Sequence, residues 1–292
     1  MEAIGNPRAI KILDRQLKTG QLSHAYLFYG PEGVGKSNLA LEFSQKITGD
    51  TRSGINSNIQ IIKPEIIEEK GKIRKKEISI EQIRQGQHFL GLSAQNNNYR
   101  IIIIYEAELL NFQAQNALLK TLEDPSGKSI VIIVAKNDDH LLTTVLSRCQ
   151  RIGFNLVKRD ELIKAFRDKN KKIEEIADWS MGRPKWMKKL LENKHEIEKR
   201  EKVKKEFNVI LNGSNNQKLK IIEKISKDKE IIKEDIDLWI TFARERLISE
   251  DEPMSNKCRA ELQLIEKLMI GLQYISNTNS NPRLILESLI IN

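Results

Sequence analysis

The sequence predicts an α/β fold, a parallel sheet with helices on both faces, followed by a purely helical C-terminal part. Three observations predict it. Gly30-Pro31-Glu32-Gly33-Val34-Gly35-Lys36-Ser37 fits the G-x-x-x-x-G-K-[ST] pattern of a phosphate-binding loop and stands between the strand-like run Ala25–Tyr29 and a helix-like run from Asn38. The runs Ile101–Ile104 and Ile130–Ala135 are unbroken in apolar, mostly β-branched residues, as in strands buried on both faces. Amphipathic helical stretches alternate with these runs to about residue 155, beyond which the strand signal stops.

Taken in order, residues 8–19 place Ile10, Ile12, Leu13 and Leu17 at near-helical spacing before Gly20. The strand, the glycine loop and its helix extend to about Thr48. Residues 49–58 read as a loop, Ile59–Ile62 as a short strand ended by Pro64, and the lysine-rich stretch 65–77 as an exposed connection. Ile78–Gly91 has helical spacing, and polar Asn96-Asn97-Asn98 precede the isoleucine strand. Asn111–Asp124 is a helix with Ala114, Ala117, Leu118, Thr121 and Leu122 on one face, closed by Pro125. Residues 158–178 and 184–206 read as amphipathic helices, Asn212–Asn216 as a linker, and Ile231–Leu247, Lys257–Ser276 and Leu284–Ile291 as helices. The expected domains are 1–155, 156–208 and 209–292.

Composition sets outer bounds. The chain has 292 residues, and 49 Lys+Arg against 40 Asp+Glu give a net charge of +9, which permits contact with nucleic acid without establishing it. Many lysines stand in mixed-charge helices such as 192–206, where a solvated face explains them. Aromatic residues are only 5%, which argues against stacking platforms for single strands. Cys149 and Cys258 are too far apart for a metal cluster or a disulfide framework, and His24, His88, His140 and His195 form no cluster. The N-terminus lacks the apolar core of a signal peptide and no run approaches membrane-spanning length, so a cytoplasmic location is expected.

The loop carries the chemistry. A strand, a glycine loop and a helix N-terminus place backbone N–H groups of Gly30, Gly33, Val34 and Gly35 around a polyphosphate. Lys36 is expected at the β- and γ-phosphates and the Ser37 hydroxyl on Mg²⁺. The second strand of such a site ends in an acid that helps hold the metal, but here Tyr105 stands at that position, followed by Glu106. A neutral phenol does not replace a carboxylate on a hard cation. Glu106 remains a candidate base or water-orienting group, with a solvated strand-end acid as the plain alternative. ATP or ADP binding is therefore expected rather than efficient hydrolysis.

Asn116-Ala117-Leu118-Leu119-Lys120-Thr121-Leu122-Glu123-Asp124-Pro125 resembles the hallmark helix of the AAA+ clamp-loader subunits of bacterial DNA polymerase III. Ser147-Arg148-Cys149 resembles their SRC motif, and His24–Phe28 and Asn281–Leu289 are similar to further stretches of the same subunits, so the resemblance covers nearly the whole chain. It implies an AAA+ domain over 1–155, a helical lid over 156–208 and a helical collar over 209–292. It also implies a hetero-oligomer with motor (gamma/tau-type) and opener (delta-type) subunits, acting with them on a sliding clamp and primed DNA. Arg148 would be a finger acting in trans on a neighbour's ATP. Tyr105, the pair Ala135-Lys136 in place of a polar sensor, and Lys185 or a shifted Arg183 in the Gly182–Lys185 region where the sensor arginine is expected all depart from a motor. The SRC motif departs from an opener. The chain is most similar to the delta-prime type, without efficient ATPase or polymerase activity of its own; the alternative is an active gamma/tau-like motor using Glu106, Lys36 and Ser37. Residues 44–64 contain none of the four cysteines that hold zinc in many relatives, so no zinc is expected.

Overall fold

The computed structural model describes residues 4–49, 57–69, 72–92, 98–167, 173–249, 256–277 and 280–291. The chain divides into two compact units, Met1–Arg167 with Gly182–Trp186, and Asp168–Met181 with Met187–Asn292.

The first unit is built on a five-stranded sheet of β1 (Ala25–Tyr29), β2 (Ile59–Ile62), β5 (Arg100–Tyr105), β6 (Ser129–Ala135) and β7 (Gln150–Gly153), in the order β2-β5-β6-β1-β7. Every neighbouring pair is parallel. Side chains alternate across a strand, so the isoleucine run feeds both faces at once. Leu27, Ile102, Ile104, Val131 and Ile133 pack under α3 (Ile80–Gly91) and α4 (Phe112–Glu123), meeting Ile83, Leu90, Ala114, Leu118 and Leu122. Tyr26, Phe28, Ile101, Ile103, Ile130 and Ile132 face the other way, against Ala9 and Leu13 of α1 (Pro7–Thr19) and Leu39, Ala40 and Phe43 of α2 (Lys36–Thr48). Each fully buried aliphatic side chain stabilises this three-layer unit by about 1.5–3 kcal/mol. Side-chain caps begin α4 and α3: Asn111 accepts a hydrogen bond from Ala114 N–H, and Ser79 forms a reciprocal capping box with Gln82.

The structure corrects several readings. The stretch 65–77, exposed as expected, contains two antiparallel strands, β3 (Ile66–Glu69) and β4 (Lys72–Lys75), with Ile66 and Ile67 opposite Lys75 and Arg74; residues 70 and 71 are not among those described. The sheet also gains β7, in which only Ile152 is buried; an edge strand with one inward residue has no apolar run to reveal it. Region 158–178 holds two helices, α6 (Arg159–Phe166) and α7 (Ile173–Trp179); residues 168–172 between them are not among those described. A short helix, α5 (Thr143–Leu146), precedes β7. Residues 50–56 of the 49–58 loop, and Asn96 and Asn97, also lie outside the described residues.

Residues from 184 form α8 (Pro184–Glu192), whose first three residues belong to the first unit, and α9 (Lys194–Asn212), separated by the N-cap Asn193. The supposed linker is a tight turn at Gly213-Ser214. Ser214 opens α10 (Asn215–Ile225) with a capping box to Gln217, a pattern legible in the sequence. α11 (Lys229–Ser249), α12 (Asn256–Asn277) and α13 (Pro282–Ile290) complete the second unit. Trp179, Phe207, Ile236, Trp239, Phe242 and Leu268 are buried within it. Arg246 on α11 reaches the buried Glu261 of α12 at 2.7 Å.

Candidate functional site

The glycine loop leaves the carboxyl end of β1 and enters α2. Gly30, Gly33 and Gly35 have φ of +134°, +82° and +98°, a region that residues with a Cβ rarely adopt, and these angles turn the loop around its own N–H groups. Gly30 N–H donates to Lys136 O at 3.2 Å, fastening the loop to the end of β6. Val34 is buried in the core beneath the loop. Lys36 is also buried, its ammonium donating to Gly30 O at 2.5 Å and Pro31 O at 2.6 Å. Burial pulls its pKa down to about 8, against the opposing pull of Glu108 and Glu32. Ser37 follows in the first turn of α2, exposed. The Gly182–Lys185 region lies against this loop: Lys185 N–H donates to Gly33 O at 3.1 Å, and the Arg183 guanidinium stacks 4.3 Å from the Trp186 ring centroid.

Around the loop, charges pair in a way the sequence did not foretell. The Tyr105 hydroxyl, at the end of β5, donates to Ser37 O at 3.2 Å, and burial raises its pKa, so it stands beside the loop as a neutral phenol. Glu106 has φ of +54° and pairs with Lys75 of the hairpin at 2.5 Å. Glu108 accepts from Lys136 N–H at 3.2 Å. The Lys136 ammonium reaches Glu32, inside the loop, at 3.0 Å. Burial would raise the pKa of Glu32, but the hydrogen bond and charge of Lys136, with Lys185 and Lys75, hold it below the usual range. The same pairing raises Lys136 despite its partial burial. The Lys75–Glu106 pair had no local sequence signal, because it depends on a hairpin that the charged stretch 65–77 concealed.

This donor set suits a polyphosphate better than it suits Mg²⁺. The loop offers N–H groups and cations. Of the acids that follow β5, Glu106 pairs with Lys75 and Glu108 accepts from Lys136 N–H, and the place of the metal-binding acid is held by a neutral hydroxyl. Among the described residues no group of three or more His, Cys, Asp or Glu is placed to hold a metal ion.

Arg148 lies elsewhere. It precedes β7, whose Gln150 pairs with Tyr26 at the amino end of β1, whereas the loop starts at the carboxyl end, after Tyr29. Those four residues of strand separate the two ends of the sheet by about 10 Å. Arg148 contacts Glu123 of the α4 hallmark helix at 2.7 Å and Thr144 O at 2.9 Å, with its side chain 34% exposed. Cys149 packs against the core, and burial pushes its thiol up to about 12. His24 bonds through Nε2 to Leu122 O at 3.1 Å, tying the start of β1 to the end of α4.

Residues 5–158 match the family described as DNA polymerase III, delta subunit. The chain belongs to the delta-prime type of bacterial DNA polymerase III clamp-loader subunit. It is 31% identical over 145 residues to the delta' subunit of Pseudomonas aeruginosa, covering 44% of this chain and 42% of that protein. It is 27% identical over 163 residues to the delta' subunit of Bacillus subtilis, covering 51% of this chain and 47% of the relative. The matched stretch thus spans less than half of either delta-prime relative. The fold is that of AAA+ proteins: a gamma-subunit-related protein from Thermotoga maritima aligns over 96% of this chain and 97% of its own, with a TM-score of 0.50 and 19% identity. A single-residue variant of RuvB from the same organism aligns over 96% of this chain and 87% of its own, with a TM-score of 0.51 and 18% identity. Among the described residues, no helix is long and apolar enough to cross a membrane.

Proposed function

We propose that this delta-prime-type chain is an assembly subunit of a replicative clamp loader in the cytoplasm. In this reading it binds ATP or ADP at Gly30–Ser37, turns it over very slowly, and supplies Arg148 to the ATP site of a neighbouring gamma/tau-type motor. Motor, opener, sliding clamp and primed DNA are the partners. The AAA+ domain is assigned to 1–155, the lid to 156–208 and the collar to 209–292, with no zinc. Large apolar side chains left exposed on α12, Leu262, Met269 and Ile270, support the collar as a surface that meets other subunits.

The observation that carries the reading is an intact phosphate loop beside a disarmed hydrolytic centre. Lys36 and the loop N–H groups can hold a polyphosphate. Tyr105 stands where the metal-holding acid would be and adds no charge for a metal, and Glu106, the remaining candidate base, is paired with Lys75. Arg148 sits at the sheet end remote from its own loop, so its planar, always-charged donors suit a phosphate of another subunit. The test is equilibrium nucleotide binding and phosphate release by the pure chain, with Lys36→Ala as control. Binding that Lys36→Ala abolishes, with turnover well below about 1 s⁻¹, is the expected result. Steady turnover at or above that rate would instead favour the active-motor reading.

A further inference from the structure

We propose that this chain binds its nucleotide without a divalent cation, with Lys136 supplying at the phosphates the positive charge that a metal would bring. This rests on the nucleotide-binding reading above and defines the chemistry of the same site.

Three observations lead there. The strand-end position that would carry a metal-holding acid bears a neutral phenol, and each acid that follows it already has a partner within the chain. Tyr105 donates its hydroxyl to Ser37 O, Glu106 is paired with Lys75, and Glu108 accepts from Lys136 N–H. Ammonium groups gather at the loop instead. The Lys36 ammonium lies under the loop on Gly30 O and Pro31 O, and the Lys136 ammonium reaches Glu32, within the loop, at 3.0 Å. Finally, Lys136 is positioned by the backbone: its carbonyl accepts from Gly30 N–H at 3.2 Å, and β6, which it follows, is hydrogen-bonded along β1.

The Lys136 ammonium is held at the loop by Glu32 at 3.0 Å, with both side chains 51% exposed. An ion pair so exposed on both sides costs little to open. An incoming phosphate is a better partner than Glu32, being more highly charged and already bound by the loop N–H groups and Lys36. Lys136 exchanges the carboxylate for the phosphate, and Glu32 turns to solvent. Glu32 is therefore an internal competitor of the nucleotide, and its removal should tighten binding.

The experiment is titration calorimetry of the full chain with ADP and with ATP, at matched ionic strength, in excess MgCl2 and in excess EDTA. The dissociation constants in the two media should agree within about threefold. Lys136→Gln should weaken binding about tenfold in EDTA, the size expected for one charge-assisted contact. Glu32→Gln should tighten binding a few-fold, a gain that a merely structural pair would not give. Unchanged thermal melting verifies that both variants are folded. Binding seen only with MgCl2 overturns this inference and leaves the nucleotide-binding reading standing. Binding in EDTA that Lys136→Gln leaves unchanged overturns the role of Lys136. No binding in either medium overturns the nucleotide-binding reading itself, and this inference with it.

Discussion

Replacing Gly30 by Ala should destabilise the first unit by about 3 kcal/mol or more, and Gly35→Ala should cost clearly less. Both positions have positive φ, +134° and +98°, so either alanine stores backbone strain of about 1–2 kcal/mol. Only Gly30 adds a collision. A Cβ there would stand 2.1 Å from Phe154 O, and Phe154 N–H is itself fixed to Tyr29 O at 2.8 Å. The obstacle is backbone, so the segment after β7 must move and lose that hydrogen bond, a further cost of about 1 kcal/mol before repacking. A Cβ at Gly35 would meet nothing within 4 Å. The difference between the two variants isolates the contact between the loop and the end of β7. Thermal denaturation followed by circular dichroism reads it: at about 2–4 °C per kcal/mol, Gly30→Ala should lower Tm by roughly 6–12 °C or more and Gly35→Ala by roughly 2–8 °C, with the Gly30→Ala shift the larger of the two. Equal shifts, or a Gly30→Ala protein within about 0.5 kcal/mol of the parent, would refute the reasoning.

Two further outcomes are expected. Asp235 is buried in the second unit, and burial, then the nearby Glu206, pushes its carboxyl up to about 6. A carboxyl with a raised folded pKa gives stability that is present near pH 4 and lost as pH rises through 6, so Asp235→Asn should be more stable than the parent at pH 7.5, by on the order of 1–2 kcal/mol, with the gain shrinking toward pH 4. Urea denaturation at both pH values checks this, and a gain independent of pH would contradict it. The Cys149 thiol, pushed up to about 12, should react with iodoacetamide at pH 8 on the order of 10³-fold more slowly than a free cysteine. Peptide-resolved mass spectrometry would expose the error if Cys149 were alkylated within the time course of free thiol.

What was legible in the sequence follows from where its signals are local. The phosphate loop is eight consecutive residues with a strand before it and a helix after it. The isoleucine run, β-branched and flanked by polar residues, reads as a strand buried on both faces, and the face of α4 is written at helical spacing. Such features depend on neighbours in the chain. β7 escaped because Gln150-Arg151-Ile152-Gly153 buries a single residue, and its place in the sheet is set by pairing with β1, far away in sequence. The hairpin escaped because charges mask Ile66 and Ile67, and with it went the Lys75–Glu106 pair. For the site, the departure at Tyr105 was visible, whereas the commitment of Glu32 and Glu108 to Lys136 needed the carboxyl ends of β1, β5 and β6 brought side by side.

The central claim is that this subunit acts on its neighbour's nucleotide through Arg148, and Arg148→Ala in the reconstituted clamp loader tests it most directly. The side chain is partly exposed and its ion pair with Glu123 is worth at most about 1 kcal/mol, so the variant should fold and assemble normally by gel filtration. Clamp- and DNA-stimulated ATP turnover should then fall, partially rather than wholly, because only the interface completed by this subunit loses its guanidinium. Turnover and clamp loading equal to those of the parent complex would contradict the account and leave Arg148 as the partner of Glu123 alone.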